Sequence, residues 1–289
     1  MNELLPPSYG LFAHEAGKIE LANPDIANHD IRSSITIIQN GLVDIFEYLS
    51  DEEFDQLYAA LKINLDSSSE DISLVIADKI AAIQTIVQGI QNRDESIAIP
   101  SQVRFALNPE HHAFLYHLHD LWNNPNNIHT IESLRRCRVD LPLLLEAFGV
   151  QYDDSCAEVE VSGVIAGMTL SNARNASKYA LKGTMPTARL IMDNGDYQLC
   201  IANQSINPHV LPDQAYPHER PIALGNRGSA AMATHVLGKG TGAYAMKVLG
   251  ILHNAQSHIW ETGAATIDDM MVYEYESRIS FPSYARGSA

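Results

Sequence analysis

The chain has 289 residues, 46% hydrophobic and 19% charged, and its 35 acidic against 19 basic side chains leave a formal net charge of −16. That size and apolar content suffice for a large core, in one extended domain or two modest ones, and exclude a disordered chain. The acidity excludes a protein whose whole surface grips nucleic acid or anionic membrane. The cysteines Cys137, Cys156 and Cys200 are scattered and form no CxxC pair, which excludes a disulfide framework or a zinc site and points to a reducing compartment. No signal peptide and no apolar run of membrane-spanning length is visible.

Residues 1–28, with Pro6, Pro7 and Pro24 and no sustained period, predict an extended N-terminal arm. From His29 to about Leu49, Ile31, Ile35, Ile38, Leu42, Ile45 and Leu49 recur at helical spacing. Ser50 and Glu53 form a capping box that opens a second helix, with Phe54, Leu57, Tyr58 and Leu61 on one side. Ser68 with Asp71 opens a third, whose stripe of Ile72, Ile76, Ile80, Ile83, Val87 and Ile90 reads as core packing ahead of a coiled-coil seam. Pro109-Glu110 starts a helix reaching Trp122, stopped by the Asn- and Pro-rich turn at 123–127, and further helices run from about Thr130 and from Leu141 to near Gly149. Residues 29–150 are thus predicted to form a helical domain.

A mixed α/β region is predicted over residues 151–262. Val159, Val161 and Val164 suggest a strand-like edge, and a short helix is expected from Leu170 to Lys182. Two β-rich runs, 188–192 and 197–201, flank Asn194-Gly195, a strong hairpin signal. A long loop carrying Pro208, Pro212, Pro217 and Pro221 spans 203–228, and a glycine-interrupted helix runs from Ser229 to about Trp260. Residues 263–289 predict an extended C-terminal arm. The fold class expected from this layout is mainly α: an α-rich α+β protein with an N-terminal helical block, a small β-hairpin element in the second half and extended arms at both ends.

Motifs for chemistry are sparse. The histidine-rich run His111–Asp120 lacks three ligands at helical intervals of three or four, and Gly238-Lys239-Gly240-Thr241-Gly242 lacks the Gly-Lys-Ser/Thr order and preceding strand of a phosphate loop. No nucleophile elbow or His-Glu-x-x-His pair occurs. No metal and no cofactor is expected.

Charge is distributed unevenly. Residues 1–103 hold 17 acids and 5 bases, whereas residues 104–247 hold 13 acids and 12 bases. In that middle, Arg135, Arg136 and Arg138 cluster, and Arg174, Lys178 and Lys182 at i, i+4 and i+8 predict a positive strip on one helix face, with Tyr179 beside it and Arg189 soon after. Such a strip follows a phosphate backbone while an aromatic ring stacks a base, so these eight residues are the candidate nucleic-acid-binding set. Pairing of the same cations with the acidic N-terminal third, within or between subunits, is the plainer account.

The expectation drawn from this layout is a non-enzymatic, self-assembling structural protein of viral coat or nucleocapsid type, polymerising through its arms as a helical assembly. Its partners would be itself and single-stranded nucleic acid, RNA ahead of DNA, with no membrane; its place would be a virion or the host cytoplasm. One alternative is an enzyme of unfamiliar class, its site between the 203–228 loop and the 229–260 helix, using His209, His218, His235 and Lys239. Another is a shell protein without nucleic acid.

Overall fold

In the computed structural model the described residues are Ile45, 48–61, 69–206, 242–267 and 269–283. The expected arm at 1–28, most of the predicted 29–49 helix and the stretch 207–241 lie outside them. The first described helix, α1 (Asp51–Leu61), opens on the expected capping box. The Ser50 Oγ accepts from the Glu53 N–H at 3.3 Å and the Ser50 N–H donates to Glu53 Oε2 at 2.9 Å. The same glutamate receives the guanidinium of Arg93 from the end of α2 (Ser69–Arg93), locking the two helices together. The half of the isoleucine stripe that is described, Ile83, Val87 and Ile90, is buried with Ile45, Ile86, Ile99 and Val103 in a small apolar core. Phe54 and Tyr58, expected on a packing side, are instead 41% and 62% exposed.

Helix α3 (Ser101–Leu107) joins this small core to the main one, giving Val103 to the first and Phe105 to the second. Then come α4 (Pro109–Asn123), capped by Asn108, and α5 (Ile128–Arg136), capped by Asn127. Strand β1 (Arg138–Asp140) leads into α6 (Leu141–Ala147), whose first turn is capped by the Asp140 carboxylate on the Leu143 N–H at 2.8 Å. After β2 (Gln151–Tyr152), β3 (Glu160–Ser162) pairs antiparallel with β1 and runs straight into α7 (Gly163–Tyr179).

Helix α7 is the axis of the main core: every residue from Gly163 to Ala173 is buried. Its glycines make that possible. A Cβ at Gly163 would lie 2.5 Å from the Leu134 carbonyl oxygen of α5, and one at Gly167 would lie 2.9 Å from Leu249 Cδ1 and 3.3 Å from Leu118 Cδ1. Small residues at these contacts let neighbouring helices approach until their own side chains interdigitate.

A five-stranded mixed sheet flanks the helix, in the order β2, β4 (Thr187–Asp193), β5 (Asp196–Ser205), β7 (Met270–Pro282), β6 (Gln256–Ile267). Only the β2–β4 pairing is parallel. The β4–β5 hairpin turns on Asn194 (φ 51°) and Gly195 (φ 90°), both left-handed as a two-residue type I′ turn demands. Helix α8 (Gly242–His253) packs against α7 and leads into β6.

The fold therefore differs from the mainly α expectation. The predicted C-terminal arm is β7, hydrogen-bonded to β5 from Asp196↔Pro282 to Ser205↔Tyr273 and to β6 along its other side. Its Glu274 and Glu276 alternate with Tyr273 and Tyr275 as the two faces of a strand within the sheet, not as an arm tethering neighbouring subunits. Glu274 is exposed and accepts from Gln204 Nε2 at 3.1 Å, and the buried Glu276 is neutralised by arginines. The helix expected to reach Trp260 stops at His253, and the one expected over 170–182 occupies 163–179.

Candidate nucleic-acid interface

Within the structure the eight candidate residues fall into three places. Arg135, Arg136 and Arg138 lie where α5 meets the start of α7. The Arg138 Nη1 donates to the carbonyls of Arg135, Arg136 and Cys137 at 3.2, 3.2 and 3.1 Å, so this guanidinium closes the last turn of α5, where the helix dipole is negative. Arg136 reaches Glu132 at 3.1 Å one turn back, an exposed pair worth little in stability. Burial, and then the nearby Arg135 and Arg138, push the His253 imidazole down to about 4.

Arg174, Lys178, Tyr179 and Lys182 gather at the opposite end of α7. From Gly163 to Lys178 the helix rises about 22 Å, at 1.5 Å per residue. The helix ends at Tyr179, so Lys182 leaves the expected i, i+4, i+8 strip. The segment that carries it turns to the sheet, where the Leu181 N–H donates to the Gln204 carbonyl at 2.6 Å. Lys178 and Lys182 are exposed and Arg174 is half-buried. The Lys178 Nζ stands 5.4 Å from the centre of the Tyr179 ring, a cation–π distance.

Arg189 is separated from both groups by the sheet. Strand alternation sends Leu190, Leu199, Ile201, Ile279 and Phe281 into the main core, while Arg189, Cys200, Glu276 and Arg278 point from the other face. There Arg189 Nη2 donates to Glu276 Oε2 at 3.0 Å and Arg278 Nη2 to Glu276 Oε1 at 2.6 Å, and Arg278 Nη1 reaches Gln198 Oε1 at 3.1 Å. Glu276 is only 7% exposed. Burial pushes its pKa up, but the hydrogen bonds from Arg278 and Arg189 outweigh this and hold it below the ordinary carboxylate value. The opposite charges of Glu276 and Arg278 at i and i+2 were visible in the sequence as neighbours on one strand face. Arg189, their partner from β4, carried no such signal.

The histidine-rich run has structural roles. His111 Nε2 accepts the Asp140 N–H at 3.0 Å, which leaves Nδ1 to donate to the Phe105 carbonyl at 3.2 Å. Burial pushes the His111 pKa down, consistent with this neutral tautomer. His119 meets Asn123 at 3.0 Å within α4. Among the described residues no group of three or more His, Cys, Asp and Glu side chains is placed to hold a metal ion. His209, His218, His235 and Lys239 of the alternative enzyme site lie outside the described residues, as does most of the 238–242 glycine motif. Among the described residues no helix is long and apolar enough to cross a membrane.

No protein-family model matches the chain, and no curated protein matches it. Among solved structures, the mycobacterial sensor histidine kinase MprB is similar over 50% of this chain and 99% of its own, at 17% identity and a TM-score of 0.35. A full-length ShkA in complex with AMPPNP is similar over 92% of this chain and 46% of its own, at 13% identity and a TM-score of 0.38. The Acinetobacter baumannii histidine kinase AdeS is similar over 88% of this chain and 97% of its own, at 11% identity and a TM-score of 0.30. Likeness this low carries neither a fold nor an activity to this chain. The stretch expected to tether neighbouring subunits is, however, an internal strand. The coat, nucleocapsid and empty-shell expectations, which rested on that tether, are withdrawn, and the expectation of a protein without catalysis, drawn from the same layout, is withdrawn with them.

Proposed function

We propose that the chain binds single-stranded nucleic acid, without sequence preference, on the surface around the C-terminal end of α7. The observation that supports this reading is local charge. In a chain of net charge −16, residues 161–192 carry Arg174, Lys178, Lys182 and Arg189 and no acid. Three of those cations surround one helix end together with Tyr179, whose ring can stack a base. Cations at a helix C-terminus also offset the macrodipole, which explains Lys178 alone. Lys182 lies beyond the helix, where it is exposed, so the macrodipole does not account for it. Free thiols at Cys137, Cys156 and Cys200 suit a reducing compartment such as the cytoplasm.

Fluorescence anisotropy with a labelled oligonucleotide of mixed sequence tests the reading. Each phosphate neutralised on a single strand contributes a slope of about −0.7 to log K against log salt, so three cations predict about −2. Reversal of all three, Arg174→Glu, Lys178→Glu and Lys182→Glu, is expected to abolish low-salt binding while the circular dichroism spectrum stays unchanged. Binding as tight as wild type in that triple variant refutes the assignment.

A further inference from the structure

Helix α3 is only seven residues long and belongs to two cores at once, with Val103 in the small core and Phe105 in the main one. On the main side the Phe105 ring meets the Phe148 ring at the end of α6, edge-on with centroids 6.4 Å apart, and the His111 imidazole of α4, with centroids 4.5 Å apart. Arg104 also reaches Glu146 of α6 at 3.0 Å, but that exposed pair adds little. Asn108, the one residue between α3 and α4, is extended at φ −66° and ψ 122°.

His111 is 1% exposed, and both of its ring nitrogens are engaged. Nδ1 holds the Phe105 carbonyl of α3, and Nε2 holds the Asp140 N–H where β1 turns into α6. One imidazole on α4 thus ties α3 to the corner between β1 and α6. Because Nδ1 already carries a hydrogen, a second proton can enter only at Nε2. Two N–H groups would then face each other across 3.0 Å, and a cation would be buried against the Phe105 ring. The charged groups around the imidazole are Asp140 at that corner and Glu110 on its own helix. Both attract the proton, as does the Phe105 carbonyl, but burial outweighs them and holds the ring below the ordinary histidine value. The Asp140 carboxylate is itself occupied, capping the Leu143 N–H.

We propose that His111 is a proton-operated latch: protonation at Nε2 drives the ring out, and α3 comes away from the main core about Asn108 while that core stays folded. Helix α4 remains in place, because Phe114, Leu118, Leu121 and Trp122 anchor it there. The freed α3 is too short to persist as a helix without its packing. The sign follows from linkage. The latched ring binds a proton more weakly than the released one, whose pKa is about 6.5. The latch is therefore fully closed above about pH 6.5, and below it each pH unit favours the released state by up to about tenfold, until the latched ring itself titrates.

Amide hydrogen exchange followed by NMR on the full chain between pH 7 and 5, corrected for the intrinsic rate at each pH, tests this. The amides to follow are those of Asp140, which donates to His111, and of Asn108, which donates to the Arg104 carbonyl. Their protection is expected to lie well below that of the α7 amides and to fall by up to about tenfold per unit below about pH 6.5. His111→Gln offers a carbonyl and an N–H to the same two partners but takes up no proton, so in it the protection of Asp140 is expected to stay level with pH. Protection of Asp140 and Asn108 equal to that of α7 throughout, or an Asp140 as pH-dependent in His111→Gln as in wild type, overturns the latch. Where that variant does not fold, the nitrogen chemical shifts of the wild-type His111 ring decide. A ring that takes its proton as Asp140 loses protection supports the latch, and one that takes it while Asp140 stays protected overturns it.

Discussion

Substituting Gly163 by alanine tests the packing that positions α7. The added Cβ would stand 2.5 Å from the Leu134 carbonyl oxygen, 2.9 Å from Leu134 Cδ1 and 3.1 Å from Cys137 Cβ. The first of these is backbone and cannot swing aside, so α5 and α7 must separate, and such overpacking costs about 1–3 kcal/mol. Alanine's better helix propensity returns at most about 1 kcal/mol, less in a first turn. The net is a destabilisation of about 1–2 kcal/mol, and at about 2–4 °C per kcal/mol for chains somewhat smaller than this one the melting point falls by up to several degrees. Gly89→Ala is the matched control. It sits in the interior of α2 with nothing nearer to the new Cβ than Glu53 Oε1 at 3.6 Å, and alanine there is expected to stabilise by about 0.5–1 kcal/mol. Urea midpoints at constant m-value measure both. Gly163→Ala as stable as wild type, or both variants shifted the same way, would refute the reasoning.

Two further outcomes are expected. Glu276→Gln keeps the side-chain shape but leaves the Arg189 and Arg278 guanidiniums facing each other around a neutral amide, at a cost of about 2–3 kcal/mol; an unchanged urea midpoint excludes the ion-pair account of β7. Acidification should weaken the fold in two separate windows. His253, pushed down to about 4 by burial and the neighbouring arginines, and His111, pushed down by burial, stay neutral while the unfolded chain takes up protons. Stability is therefore full above about pH 6.5 and declines towards pH 4, by up to about 1.4 kcal/mol per pH unit for each histidine. Glu53, held at about 2 chiefly by its hydrogen bond to Arg93, contributes above its ordinary range and loses that contribution as pH falls through about 4.5 towards 2. His253→Leu should flatten the upper window in pH-dependent urea titrations and leave the lower one in place; an unaltered upper window counts against its buried neutral state.

Local signals in the sequence were legible where the interactions are themselves local. The Ser50–Glu53 box, the Asn108 and Asn127 caps beside their Pro- and Asn-rich turns, and the Asn194-Gly195 turn each satisfy backbone groups within a few residues. The sheet was not legible. β6 is rich in Gly, Ala, Ser and Thr, which blurs the period-two signal, and its adjacency to α8 let the helix be read through to Trp260. β7 displays its alternation openly, but that Glu276 faces a partner rather than water depends on Arg189 in β4, a relation no short window contains. Of the candidate cations, the grouping of Arg174 with Lys178 follows from helical spacing alone. The exclusion of Arg189 needs the sheet between, and the separation of Arg135–Arg138 follows from the length of α7 and from where α5 meets it.

The position of β7 also sets the order in which the molecule can be made. It is the last of the described strands yet lies between β5 and β6, so Asp196 waits for Pro282 before its edge is closed. At about 5–20 residues per second, a ribosome takes several seconds to supply that stretch. Throughout that interval a growing chain presents the unpaired rim of a β4–β5 hairpin, a surface other nascent strands can join. Its production should therefore be more sensitive to translation speed and to chaperone supply than its helical first half would suggest.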